Sequence, residues 1–243
     1  MTGAFAWMTV LPMPPQAAPT REDARRIIAA VPVTGALVGT LVAAIAWGAC
    51  AAGLAPLLAG ALAVAGGVLV TRGMHIDALS DCADGLGTYG PPERAREVMR
   101  QGTIGAFGAA ALVLVLLIEA AAITSLADDR RWLAIGVSVA VARVAAVIGC
   151  RRGWAPSNPD GFGALTAGTQ GVLSIGTWIV LACAATLPVS AAPWHGPVAV
   201  LASLALATLV MRHCIRRFGG ASGDVFGCGI EIACAAALVG VCF

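Results

Sequence analysis

Three aspartates within eight positions are the most distinctive chemical feature of the chain. Asp77, Asp81 and Asp84 follow a hydrophobic run, and the segment 75–85 contains no Lys or Arg that could neutralise them. Carboxylates this close repel one another, and their oxygens are the ligands that Mg²⁺ prefers. The cluster therefore predicts a Mg²⁺ site of the kind that holds a phosphorylated substrate. A solvated acidic face is the alternative, and the apolar flanks argue against it.

The spacing of the aspartates indicates a helix face. If residues 76–85 are helical, Asp77, Asp81 and Asp84 stand at i, i+4 and i+7 and share an arc of roughly 60°. One face would then present a row of oxygens to one or two Mg²⁺ ions and a diphosphate. His75 would lie about 160° from that row. It could serve as a general base only if the helix begins after it, and a packing role suits it almost as well.

The elements that position these residues are expected to lie in a membrane. The 243-residue chain is 59% hydrophobic and only 12% charged, about half the charge of a soluble domain. We predict a single domain over 1–243, an all-α polytopic bundle with about seven transmembrane helices. The net charge of +2 gives no reason to expect a nucleic-acid partner. The expected spans are residues 30–51, 55–71, 105–126, 132–149, 172–190, 198–213 and 225–243.

The arginines indicate how these spans are oriented. With a cytoplasmic N-terminus, twelve of the fifteen arginines fall on the cytoplasmic side, and only Arg130 and Arg131 fall outside. Such asymmetry follows the positive-inside rule. It places the acidic motif, Asp160 and Asp224 on one cytoplasmic face, in loops near 72–104, 150–171 and 214–224. We therefore expect the active site to face the cytoplasm.

Other polar residues suggest supporting roles. Arg94 and Arg100 belong to a predicted surface helix, where they could bind anionic substrate groups or lipid headgroups. Within the spans, Arg143 and Glu231 lie at similar depth, which favours a buried ion pair. Glu119 lies deeper and matches Arg143 poorly. Small residues allow the backbone to approach its neighbours closely. We expect Gly35 and Gly39 to contact another helix, and Gly102, Gly105 and Gly108 to contact a ligand or a helix.

Several segments together resemble one known family. The pattern His-x-Asp-x-x-x-Asp-x-x-Asp-Gly over 75–85 resembles the signature of the cobalamin synthases, the adenosylcobinamide-GDP ribazoletransferases. The segments 5–14, 99–108 and 219–227, with Glu231 beyond, are similar to other parts of the same family. Val10 and Gln101 depart from the family, which often carries Arg and Asp at these positions. The departures put in doubt a role for an N-terminal Arg or for a carboxylate at 101.

The resemblance implies a multi-pass enzyme of the bacterial inner membrane. Such an enzyme joins adenosylcobinamide-GDP to α-ribazole or its 5′-phosphate, requires Mg²⁺ and releases GMP. Oligomeric state and association with other late corrinoid enzymes stay open. Carried over to this sequence, the candidates for catalysis are Asp77, Asp81, Asp84 and His75, those for the metal are Asp77, Asp81, Asp84 and Asp224, and those for substrate are Arg72, Arg94, Arg100, Asp160, Asp224 and Glu231.

Two other functions remain to be distinguished. A CDP-alcohol phosphotransferase also uses an aspartate-rich, Mg²⁺-loaded membrane site, but Asp84-Gly85 here continues without the Ala-Arg that its signature requires. An ion-coupled carrier could use the charges of Glu119, Arg143 and Glu231 within the membrane. The acidic residues, however, cluster at one face rather than at the midplane. Release of a nucleoside monophosphate would distinguish an enzyme from a carrier.

Overall fold

The computed structural model describes residues 2–13, 18–190 and 192–243, and over these residues the chain is helical without any strand. Pro14, at the end of the N-terminal segment compared above, lies outside the described residues. The helices are α1 (Thr2–Met8), α2 (Arg21–Ala51), α3 (Pro56–Val70), α4 (Met74–Gly87), α5 (Pro92–Arg100), α6 (Ala106–Asp128), α7 (Trp132–Ala142), α8 (Val144–Gly149), α9 (Phe162–Thr166), α10 (Val172–Thr186), α11 (His195–Phe218) and α12 (Gly223–Gly240).

The predicted all-α membrane bundle is confirmed. Within the described residues, six helical segments are long and apolar enough to cross a membrane: α2, α6, α7 with α8, α10 with the 3₁₀ turn Leu187–Val189, α11 and α12. The one remaining predicted span, residues 55–71, corresponds to α3, which has only 15 residues. After α3 the chain bends by 91° into α4. The acidic motif therefore lies on a helix outside the six spanning segments, in agreement with the helix that its spacing predicts.

Two consecutive residues in the left-handed region make this bend. Arg72 has φ 57° and Gly73 has φ 68°. Glycine adopts this conformation without a steric penalty, whereas arginine does so at some cost. The Arg72 Nη2 atom donates hydrogen bonds to the carbonyls of Ala6 and Trp7, both at 3.3 Å. The residue that turns the chain into α4 therefore also holds the end of α1.

Glycines allow the helices around the acidic motif to pack closely. A Cβ at Gly35 or Gly39 would lie 2.5 or 2.1 Å from a backbone oxygen of α7, so the predicted close contact of these two glycines is confirmed. On α12, a Cβ at Gly227 would lie 2.6 Å from the Cβ of Ala78 on α4. The backbone of α12 can therefore approach the acidic helix directly, which brings the start of α12 beside it.

A backbone contact joins the two loops that flank the site. Ser157 N donates to the carbonyl of Ala221 at 2.9 Å, and Ala221 N donates to the carbonyl of Ala155 at 2.8 Å. A Cβ at Gly220 would lie 2.5 Å from the backbone of Ser157. The loop after α8 is thereby fixed against the loop before α12. This contact places α9, which follows the first loop, next to the first turn of α12.

Candidate functional site

The acidic motif is helical, as its spacing predicts, but its aspartates have different surroundings. The helix α4 begins at Met74, so His75 lies inside it. Asp77 is exposed, Asp81 is half-buried and Asp84 is buried. The predicted row of carboxylates thus runs from solvent into the protein, and each member can act differently.

Asp84 caps the neighbouring helix α6. Its Oδ2 accepts a hydrogen bond from Gly105 N at 2.7 Å, and its Oδ1 accepts one from Gly108 N at 2.8 Å. A carboxylate at a helix N-terminus satisfies free amides and interacts favourably with the helix dipole. A Cβ at Gly105 or Gly108 would lie 2.4 or 2.3 Å from an Asp84 oxygen. The expected close approach at these two glycines therefore makes room for the Asp84 carboxylate. A part for Asp84 in metal binding stays a prediction.

Two other carboxylates, Asp77 and Asp224, line an open region between α4 and α12, and Asp81 lies near them. Asp224 lies in the first turn of α12, where the Oγ of Ser222 donates to its Oδ2 at 3.3 Å. Asp77 and Asp224 both line a cavity of about 310 Å³. Burial, followed by the charges of Asp77, Asp224 and Asp84, raises the pKa of Asp81 to about 6. Such a shift indicates negative charge without a partner, which a bound cation would relieve.

The arrangement of these carboxylates fits Mg²⁺ carried with a substrate. Among the described residues, no three acidic, His or Cys side chains already stand close enough to hold an ion by themselves. Mg²⁺ is commonly bound by one or two carboxylates, while water and substrate phosphates complete its octahedron. Carboxylates presented by α4 and α12 therefore suit a metal–phosphate complex better than a closed protein cage.

His75 lines the same cavity and is neutral. It is buried, and its Nδ1 lies 3.7 Å from Glu231 Oε1, which is too far for a hydrogen bond. Burial, with a smaller contribution from the charge of Arg143, lowers the pKa of His75 to about 3. An imidazole with so low a pKa is a weak base at neutral pH. Both ring nitrogens are buried and lack a hydrogen-bond partner among the residues described.

The predicted Arg143–Glu231 ion pair does not form. No carboxylate within the described ranges lies within 4.0 Å of Arg143, whose Nη1 instead donates to the carbonyl of Val139 at 2.8 Å. Glu119, Arg143 and Glu231 line a small cavity of about 30 Å³, which has room for a buried water. Glu119, which was expected to match Arg143 poorly in depth, likewise forms no ion pair with it among the described residues. The Arg143–Glu231 pair was expected from depth alone. Depth was counted along an ideal helix, whereas the helix is interrupted at Arg143, between α7 and α8.

The remaining predicted substrate residues do not line the cavity that holds Asp77 and Asp224. Arg72 holds α1, as described above. Arg94 pairs with Glu97 at 2.6 Å on the exposed side of α5, and Arg100 is exposed at the end of that helix. Asp160 is exposed in the loop before α9. Their roles as phosphate or substrate contacts stay predictions.

Two aromatic residues in the cavity were missed by the sequence reasoning. Trp7 on α1 and Phe162 on α9 both line it, with ring centroids 5.1 Å apart and ring planes at 60°. Apolar side chains such as Met8, Met74 and Phe226 extend the lining. Trp7 lies within the segment 5–14 that resembles the family, and Phe162 follows two residues after Asp160. No spacing rule, however, links residues so far apart in the chain.

Comparisons with known proteins identify the same family over nearly the whole chain. The family model described as CobS, cobalamin-5-phosphate synthase, matches residues 1–242. An adenosylcobinamide-GDP ribazoletransferase from Corynebacterium diphtheriae is 34% identical over 92% of this chain and 84% of its own length. Enzymes of the same name from Frankia casuarinae and a Nocardioides species are 34% and 35% identical, each over 97% of this chain and over 91% and 95% of their own lengths. No solved structure matches the chain.

Proposed function

The chain belongs to the cobalamin-5-phosphate synthase family, and on that premise we propose that it joins adenosylcobinamide-GDP to α-ribazole or to α-ribazole 5′-phosphate. The products would be GMP and adenosylcobalamin or its 5′-phosphate. The observation that carries the proposal is that Asp77 and Asp224 line one cavity, while Asp81 lies close enough to both for their charges to raise its pKa. A site that concentrates carboxylates suits a Mg²⁺-bound diphosphate, which is the group that the donor substrate offers.

The reaction needs a polyanion to be held while one of its P–O bonds is exchanged. A ribose hydroxyl of the acceptor forms a bond to the phosphorus next to the corrin side chain, and the bond from that phosphorus to GMP breaks. The hydroxyl proton is released, and GMP leaves as an anion. In such transfers the protein contributes mainly positioning and electrostatic stabilisation.

We assign Asp77, Asp81 and Asp224 to hold Mg²⁺ together with the donor diphosphate. When bound, Mg²⁺ neutralises the diphosphate and stabilises the charge that develops on the leaving group. Asp84 positions α4 against α6 and so fixes the other carboxylates. His75, which is buried and neutral at the cavity wall, supports α4 by packing rather than acting as a strong base.

We further propose that the enzyme lies in the bacterial inner membrane with this site facing the cytoplasm. The support is the excess of arginines on the side that carries the acidic motif, Asp160 and Asp224. The exposed Arg94 and Arg100 would there contact lipid headgroups or the outer part of the substrate. A cysteine introduced at Asp160, in a variant lacking the native cysteines, tests this orientation. It should react with a membrane-impermeant maleimide only after the cells are opened.

The decisive experiment measures GMP release. Membranes that contain the protein should release GMP from adenosylcobinamide-GDP only when α-ribazole 5′-phosphate and Mg²⁺ are both present. Asp81→Asn should shift the Mg²⁺ dependence to higher concentration or abolish release. If folded protein releases no GMP with either acceptor, the proposal is wrong. Dissipation of an ion gradient in vesicles would then favour a carrier.

A further inference from the structure

The cavity beside the carboxylates has an aromatic side that the reaction chemistry described above does not use. Its volume of about 310 Å³ is at the lower end of the range for ligand pockets, roughly 300–1,000 Å³. Such a space holds a fragment the size of a nucleoside and cannot enclose a corrin ring. Trp7 and Phe162 lie on it together with Asp77 and Asp224. The cavity thus combines a surface suited to a flat ring with a surface suited to a metal–phosphate complex.

We infer that Trp7 and Phe162 form the subsite for the benzimidazole ring of the acceptor α-ribazole. The inference rests on the proposed function and adds to it a location and two specificity-determining residues. Aromatic side chains bind planar bases by stacking and edge-to-face contact. A ring seated here would place its ribose close to Asp77 and Asp224, where the hydroxyl must meet the phosphorus.

The chemistry of the lining favours the acceptor base over the guanine of the donor. Guanine carries polar groups on its O6, N7 and N2 edges, and these need hydrogen-bonding partners when they are buried. The cavity wall away from the carboxylates and His75 consists of side chains such as Met8, Met74, Phe226 and Ile230, which offer none. A benzimidazole ring has an apolar carbocyclic edge that such a wall can accommodate.

Both aromatic residues belong to segments that contact the rest of the site. Trp7 is fixed through its carbonyl, which accepts a hydrogen bond from Arg72 at 3.3 Å. Phe162 begins α9 and lies against the first turn of α12, where a Cβ at Gly223 would be 3.3 Å from the Phe162 ring. Asp224 follows Gly223 directly. The aromatic side and the carboxylate side of the cavity are therefore built from the same local elements, so that base and phosphate can be positioned together.

The test compares Trp7→Leu and Phe162→Leu with Trp7→Phe, which keeps an aromatic ring. Trp47→Leu is the matched control, because Trp47 is exposed near the C-terminal end of α2 and does not line the cavity. For each variant, the KM for α-ribazole 5′-phosphate, the KM for adenosylcobinamide-GDP and kcat are measured by GMP release. Calorimetry of the purified protein with α-ribazole 5′-phosphate alone gives the acceptor Kd without turnover.

Both leucine variants should raise the acceptor KM and Kd about tenfold or more, with the donor KM changed less than twofold. Trp7→Phe should recover most of the loss, and Trp47→Leu should match the wild type. A rise confined to the donor KM would assign the aromatic subsite to the guanine of the donor and overturn the inference. Unchanged KM and Kd values in the leucine variants would also overturn it. Wild-type protein that releases no GMP would refute the proposed function. Acceptor binding lost in the leucine variants would still support the subsite.

Discussion

Asp84 and Gly105 join the acidic helix to the next transmembrane helix, because Asp84 Oδ2 accepts the Gly105 amide at 2.7 Å. The second oxygen of Asp84 accepts the Gly108 amide. A carboxylate that is fully engaged in this way orients its own helix, and with it Asp77 and Asp81. The three aspartates of the motif should therefore respond differently to the same substitution.

Asp84→Asn should lower stability as well as activity. An amide replaces one of the two accepting oxygens with a donor that faces a backbone N–H, and such a buried mismatch costs about 1–3 kcal/mol. Thermal unfolding in detergent should show a lower Tm with or without Mg²⁺. Exposed Glu97→Gln on α5 is the control and should leave Tm unchanged. An Asp84→Asn variant that kept the wild-type Tm and only lost its Mg²⁺ response would assign Asp84 to the metal instead.

Asp81→Asn should raise the stability of the Mg²⁺-free protein, and the gain should grow with pH. The pKa of Asp81 is raised in the folded protein from 3.8 to about 6, so the ionised form is disfavoured by folding. Ionisation of Asp81 therefore lowers the free energy of unfolding. This loss is absent below pH about 4 and is complete as the pH rises past about 6. The difference in Tm between variant and wild type, measured from pH 4 to 7.5 in chelator, should follow this course. A difference independent of pH would contradict it.

Gly108→Ala should abolish activity, because the added Cβ would lie 2.3 Å from Asp84 Oδ2 and 2.4 Å from Ser80 Oγ. Either Asp84 loses its amide contacts or α4 moves away from α6. Gly176→Ala is the matched control, since Gly176 is also helical and a Cβ there meets nothing within 4 Å. That variant should be neutral or gain up to about 1 kcal/mol. GMP release and Tm distinguish the two, and equal behaviour would refute the argument.

Arg143→Met should be destabilising, by about 1–3 kcal/mol, because it removes the cation that lines the same small cavity as the buried Glu119 and Glu231. Glu119→Gln should cost much less, and adding it to Arg143→Met should recover part of the loss. Unfolding in detergent measured for both single variants and the double variant gives the coupling between the two sites. Additive effects would show that Arg143 and Glu119 act independently.

The sequence predicted features that depend on local patterns or on charge alone. The helix through Asp77, Asp81 and Asp84 follows from their spacing, and the close contact at Gly35 and Gly39 follows from small residues four positions apart. Asp224 joined the candidate list through its glycine-rich segment. In each case the relevant signal lies within a few residues of the position in question.

The features that the sequence did not predict depend on long-range contacts. The role of Asp84 as a cap requires knowing that α6 begins beside it. Trp7 and Phe162 meet through long-range contacts, since Arg72 donates to the end of α1 and the loop before α9 pairs with Ala221. The absence of the Arg143–Glu231 ion pair was not predicted, because no local signal marks the helix interruption at Arg143.

Arg72 connects the helix proposed to bind the metal with the segment proposed to bind the acceptor ring. Its left-handed backbone sets the direction of the helix that carries the carboxylates proposed to bind the metal, while its guanidinium donates to the segment that carries Trp7. A movement at this one residue would shift the donor and acceptor positions together. Their mutual distance, which governs the transfer, would then be preserved better than either position is. Arg72 would thus keep the two reacting groups in register while the enclosing helices fluctuate.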